Sequence, residues 1–182
     1  MKTVGRLLML VLLTGCPKGQ TSLVTVYPKD GLDPATKTFI ENELRLLLAA
    51  TEHPNFDITV TLQQPEVGTA VAMTSPKGDI IIRPAAVTNA MKSQAALWSL
   101  RMLIAHELGH IMASHWFTHV SRQPQKELEA DKLGMEYFKR LGWPCKVWVD
   151  RFRRAAEQYN VSAEHDQKAR YEQARQLCEA EK

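Results

Sequence analysis

The sequence has no long hydrophobic run, almost no net charge beyond its first residues and only three cysteines, and each shortage excludes a class of protein. Its longest apolar stretch covers residues 7–13, and seven such residues are too few to span a bilayer as a helix. The 23 basic and 20 acidic residues leave a formal charge of +3, and setting aside Lys2 and Arg6 reduces it to +1. Nothing in that balance calls for a nucleic-acid partner. Cys16, Cys145 and Cys178 lack the spacing of a cysteine metal motif. No internal repeat or low-complexity stretch breaks the chain. With 45% hydrophobic residues over 182 positions, it suits one globular domain with a real core.

What is present begins at the N-terminus. Lys2 and Arg6 precede the apolar stretch, and Leu13-Thr14-Gly15-Cys16 follows. This segment resembles a bacterial lipoprotein signal, whose Leu-x-Gly-Cys box is cut before the cysteine that then carries lipid. The resemblance implies a signal peptide over residues 1–15, lipidation of Cys16, a tether over residues 16–21 and a single domain over residues 22–182. It also implies a location in the bacterial cell envelope, on the periplasmic face of a membrane. Pro17 stands where an aspartate marks inner-membrane retention, which favours the outer membrane. With Cys16 lipidated, Cys145 and Cys178 form an even pair in an oxidising compartment. Two arrangements stay open for them: a disulfide joining the last two helical segments, or two buried free thiols.

Residues 23–27 alternate like a strand. Asp33 and Pro34 read as the N-cap and first residue of a helix whose stripe is Phe39, Ile40, Leu44, Leu47 and Leu48, ending near Thr51. Residues 56–62 alternate as a half-buried strand. Residues 69–74 and 79–83 flank Ser75-Pro76-Lys77-Gly78, which predicts a hairpin. Pro84 cannot continue a ladder, so the strand over 79–83 is expected at a sheet edge. A long helix is predicted from Thr88 or Asn89 to about residue 117, a second from Gln125 to Gly142 and a third from Pro144. A fourth, over 162–178, is strongly charged and expected to be the most exposed. The fold class is α+β: a small mixed or antiparallel sheet packed on a long helix, then a largely helical C-terminal half.

The long helix carries His106-Glu107-Leu108-Gly109-His110. Histidines four apart share one helical face and can grip one zinc ion, while Glu107, about 100° round, is placed to reach water rather than the metal. On the pentamer alone, two ordinary histidines on a partly exposed helix is the competing interpretation. Leu97, Leu100, Leu103, Ile104, Leu108 and Ile111 would give the metal face a dry wall. A catalytic zinc takes three protein ligands. A metzincin would place a histidine ten residues after His106, but Trp116 stands there. Glu127 and Asp131 share a face of the next helix, so Glu127 can bind the metal while Asp131 accepts the free ring N–H of a ligand histidine. Glu129, about 200° round from Glu127, is the rival third ligand and otherwise a solvated charge.

The pentamer, with Glu127-Leu128-Glu129-Ala130-Asp131-Lys132-Leu133-Gly134 and the preceding hairpin residues Gly78, Ile80 and Ile82, resembles the gluzincin metallopeptidases. The likeness is closest to the CAAX prenyl endopeptidase and HtpX-type family and its soluble periplasmic relatives, and covers residues 68–141. It implies a zincin-like domain holding one Zn2+ per chain through His106, His110 and Glu127, with Glu107 as general base on zinc-bound water and Asp131 orienting a histidine. Many family members insert a longer segment between the zinc helices, so the sixteen residues between His110 and Glu127 imply a more open cleft. Small domains of the phage-repressor-cleaving type share such short spacing, although the export signal argues against their cytosolic role. The family also tends to carry a His-Pro segment with a later arginine. His165 and Arg170 could stand in for it, with Asp166 in place of the proline, and His165 is a candidate transition-state contact. Tyr137, His115 and His119 are candidate oxyanion contacts, or else packing and surface residues.

These features imply a lipid-anchored zinc metalloendopeptidase that hydrolyses peptide bonds of envelope proteins. Its protein or peptide substrate is expected to lie extended along the edge strand near residues 79–83. The alternative is a non-proteolytic zinc-binding envelope scaffold or assembly factor. Glu107 counts against that, because a structural site is normally closed by four ligands and needs no base.

Overall fold

A computed structural model describes residues 23–28, 32–63, 71–75, 77–115, 124–158 and 166–180. Residues 1–22, which include the expected signal segment and Cys16, lie outside them, as do Trp116, His119 and His165. Within the described residues the fold is mixed α+β and mostly helical, with six helices and one four-stranded sheet. Strand β1 (Val24–Tyr27) leads into helix α1 (Pro34–Ala49), then strands β2 (Ile58–Leu62), β3 (Ala72–Thr74) and β4 (Ile80–Ile82). Helices α2 (Pro84–Ala90), α3 (Gln94–Met112), α4 (Pro124–Arg140), α5 (Lys146–Gln158) and α6 (Gln167–Glu179) complete it.

The local chemistry expected around α1 is present. Asp33 accepts hydrogen bonds from the backbone N–H and hydroxyl of Thr36, at 2.9 and 2.8 Å, and Pro34 sits at the first helical position. Ile40, Leu44, Leu47 and Leu48 are buried, as are alternate strand residues Val24, Val26, Ile58, Val60, Leu62, Ile80 and Ile82. Glu43 accepts from Arg101 at 2.6 and 3.0 Å, and the guanidinium also lies over the Trp98 and Trp143 rings, which ties α1 to α3.

Three features differ from expectation. The sheet order is β1-β2-β4-β3, with β4 parallel to β2 on one side and antiparallel to β3 on the other. The strand near residues 79–83 is therefore interior, and among the described residues the edges are β1 and β3. Pro84 ends β4 because it opens α2, where its missing N–H leaves no helical bond unmade. The zinc-motif helix does not begin at Thr88 or Asn89, which belong to α2; the Thr88 hydroxyl bonds back to the Pro84 carbonyl at 3.2 Å. The chain turns at Met91 and Lys92, and Ser93 caps α3 through the N–H of Ala96. At its other end α3 stops at Met112, short of residue 117. Finally, α6 is not merely a solvated helix, since it packs on α4 and α5 and buries Ala174. A disulfide between Cys145 and Cys178 joins the end of α6 to the α4–α5 connection, with Cα atoms 5.9 Å apart.

Two glycines set how closely α3 and α4 approach. A Cβ on Gly109 would lie 2.9 Å from Ala130 Cα, and one on Gly134 would lie 2.7 Å from the Trp148 ring and 3.1 Å from the Ala105 carbonyl carbon. Gly142 serves another purpose, ending α4 at φ +65° while Trp143 N–H bonds Phe138 O at 2.9 Å. Gly109→Ala is expected to cost about 1–3 kcal/mol through overpacking against backbone that has nowhere to go. Denaturant midpoints measure it, and an unchanged midpoint for Gly109→Ala would contradict the close crossing.

Candidate metal centre

On α3, His106 and His110 are one turn apart with ring centroids 4.6 Å apart and Nε2 atoms 3.1 Å apart. Glu127, in the first turn of α4, brings Oε2 to 3.4 Å from His106 Nε2 and Oε1 to 3.5 Å from His110 Nε2. Among the described residues this is the one His/Cys/Asp/Glu group suited to holding a metal ion. Tetrahedral ligands about 2.0–2.1 Å from zinc lie about 3.3 Å apart, and the three observed separations bracket that spacing. The donor types and their burial fit zinc as well.

The residues behind these donors hold them in place. Asp131, one turn beyond Glu127 and fully buried, accepts from His106 Nδ1 at 2.8 Å, which leaves Nε2 facing Glu127 and His110. Arg170 reaches in from α6 and grips Asp131 with both prongs, Nε to Oδ2 at 2.6 Å and Nη2 to Oδ1 at 2.8 Å. Its Nη1 lies 3.4 Å from Glu127 Oε2, and its guanidinium rests over the Phe152 ring at 4.6 Å. Glu107 lies outside this donor set on α3, and its Oε2 accepts from the Thr74 hydroxyl at 2.7 Å. Thr74 belongs to the edge strand β3.

Electrostatics follow from this packing. Burial disfavours a charged His106, but hydrogen bonds to Asp131 and Glu127 outweigh it and raise its pKa to about 10. Burial likewise opposes charge on Glu127 and Asp131. His106 and His110 hold Glu127 well below the usual carboxylate range, and His106 and Arg170 lower Asp131. Glu127 and Asp131 thus stay ionised and favour positive charge beside them.

No family model, curated protein or solved structure matches the chain. The site therefore rests on its own geometry. His106, His110, Glu127 and Asp131 converge as expected, and Glu107 stands beside them. Arg170, expected only as part of a substitute segment, is a central member, whereas its companion His165 and the candidate His119 lie outside the described residues. Tyr137 is not at the site: it is fully buried, and burial and the charge of Glu52 push its pKa up. Glu129 is not a ligand, nor simply solvated, because its Oε2 lies 3.1 Å from His115 Nε2. His115 in turn puts Nδ1 2.9 Å from His110 Nδ1. Neither that pair nor Thr74 carries a local sequence signal, since their partners lie on other elements or beyond a helix end.

Replacing Arg170 with methionine leaves two buried carboxylates short of a partner and is expected to destabilise the metal-free protein by about 3–5 kcal/mol. Arg153→Met, which removes a half-exposed ion pair of α5, is expected to leave the denaturation midpoint near wild type. Equal effects of the two substitutions would refute the role given to Arg170.

Proposed function

We propose that the chain is a zinc-dependent metalloendopeptidase of the gluzincin type, with a zincin-like domain resembling the CAAX prenyl endopeptidase and HtpX-type family. The observation that carries this is the division of labour at the site. Three converging donors come from His106, His110 and Glu127, while a separate carboxylate, Glu107, sits on the same helix outside the donor set. Three protein ligands leave a position open for chemistry, whereas a structural site is closed by four.

When bound, zinc supplies Lewis acidity that acidifies water and polarises a peptide carbonyl. The remaining steps fall to this chain's side chains. Glu107 takes a proton from the attacking water and returns it to the leaving amine, a role served by a buried carboxylate fixed by one hydrogen bond. Asp131 keeps the His106 proton on Nδ1, and Arg170 keeps Asp131 ionised and correctly turned.

The substrate is an extended segment of an envelope protein, and its place moves from the interior strand β4 to β3. Among the described residues β3 is paired on one side only, and its Thr74 touches Glu107. A peptide adding to that edge would bind through main-chain hydrogen bonds beside the general base, with little demand on its sequence. No helix among the described residues is long and apolar enough to cross a membrane. Attachment to the membrane through lipidated Cys16, on the periplasmic side, is part of the proposal.

The mature protein is expected to bind one zinc ion per chain and to cleave unfolded protein substrates in a chelator-sensitive way. Glu107→Gln should keep the metal and lose about 10²–10⁴-fold in cleavage rate. Metal analysis and proteolysis on the same preparations test this. Zinc binding without cleavage, indifferent to Glu107→Gln, would support the scaffold alternative.

A further inference from the structure

His106 and His110 are supported in different ways. A histidine that offers Nε2 to a metal carries its hydrogen on Nδ1 and needs an acceptor there. His106 finds one in Asp131, whereas His110 Nδ1 faces His115 Nδ1 at 2.9 Å. Two ring nitrogens at that distance must be one donor and one acceptor. The far side of His115 decides which. Its Nε2 lies 3.1 Å from Glu129 Oε2, and a carboxylate oxygen can only accept. A neutral His115 therefore holds its one ring hydrogen on Nε2 and donates it to Glu129, which leaves His115 Nδ1 as the acceptor for His110 Nδ1–H. The opposite order would set a bare ring nitrogen against a carboxylate and point the His110 hydrogen at the donor cluster.

We propose that His115 and Glu129 form a positioning relay that fixes the tautomer and ring orientation of His110 for metal binding. This rests on the reading of His106, His110 and Glu127 as a zinc site. The fold is arranged for it: α3 ends at Met112, Ser114 takes a left-handed φ of 57°, and the reversal brings His115 back over the last turn of its own helix. Helix α4 then serves both histidines. Asp131 reaches His106 directly, and Glu129, on the opposite side of α4 from the donor set, reaches His110 through His115. The relay runs from inside to outside, since the His115 side chain is 9% exposed and that of Glu129 is 59% exposed.

Zinc affinity, measured by competition with a chromophoric chelator, tests the relay without reference to catalysis. His115→Phe keeps a ring but removes the acceptor and is expected to weaken zinc binding about 10–100-fold. His115→Asn, whose amide oxygen occupies the place of Nδ1 and can accept from His110, should recover most of that loss. Glu129→Ala should weaken binding less than His115→Phe, and adding it to His115→Phe should cost nothing more, because Glu129 acts through His115. Wild-type affinity in His115→Phe, or additive losses in the double variant, would overturn the relay while leaving the zinc site intact. Failure of the wild-type protein to bind zinc would overturn both. Should His115→Phe not fold, Glu129→Ala and Glu129→Gln decide: the first is expected to lose affinity several-fold and the second, which still accepts from His115, to keep it. Equal affinities for the two would overturn the proposal.

Discussion

The close crossing of α3 and α4 is the contact on which the site depends. Gly109 meets the backbone of Ala130, and Gly134 meets the backbone of Ala105 and the Trp148 ring, so each helix yields its side-chain volume where the other presses on it. The consequence is visible in the numbering. His106 and His110 stand three residues before and one after Gly109, and Glu127 and Asp131 stand three before and one after Ala130. The four side chains therefore straddle a single point of near backbone contact. Two helices held apart by ordinary side chains sit 8–10 Å apart axis to axis, which would draw the Glu127 carboxylate away from the imidazoles.

Convergence alone would be unstable, because it places Glu107, Glu127 and Asp131 in a buried environment. Unpaired, such charges cost several kcal/mol each. Arg170 offsets two of them at once, with its fork on Asp131 and its remaining nitrogen near Glu127, while the Phe152 ring supports the guanidinium plane. Arginine suits this place better than lysine because its donors are fixed in a plane that matches a carboxylate. The Thr74 hydroxyl gives Glu107 a single neutral bond, a gentler environment than the paired cations around Asp131.

Local signals in the sequence are strong where the determinants are local. Asp33-Pro34 opens α1, Gly142 closes α4, and the spacing within the pentamer and within Glu127-x-x-x-Asp131 places donors on common faces. Expectation and structure part where tertiary pairing decides. Pro84 reads as the mark of a sheet edge, but it is also a good first helical residue, and only the parallel pairing of β2 with β4 distinguishes the two. Thr88 and Asn89 have cap chemistry, yet Ser93 caps α3 because the chain turns after Met91. The charge of α6 suggests solvent exposure, and nothing in its composition tells Arg170 from Arg175, which pairs with neighbours on the helix surface. His115 and Glu129 meet only because the chain reverses at Ser114.

Arg170 lies on the last helix described, and that gives the chain's order of synthesis a physical meaning. When α3 and α4 first emerge, Asp131 and Glu127 exist without the guanidinium that lets both be buried as anions. A nascent chain lacking α6 must leave these carboxylates in water, which holds α3 and α4 apart, or protonate them. Burial of both as anions therefore depends on α6, which the Cys145–Cys178 bond ties to the α4–α5 connection. The same pairing that stabilises the finished centre thus makes its burial depend on the last helix described.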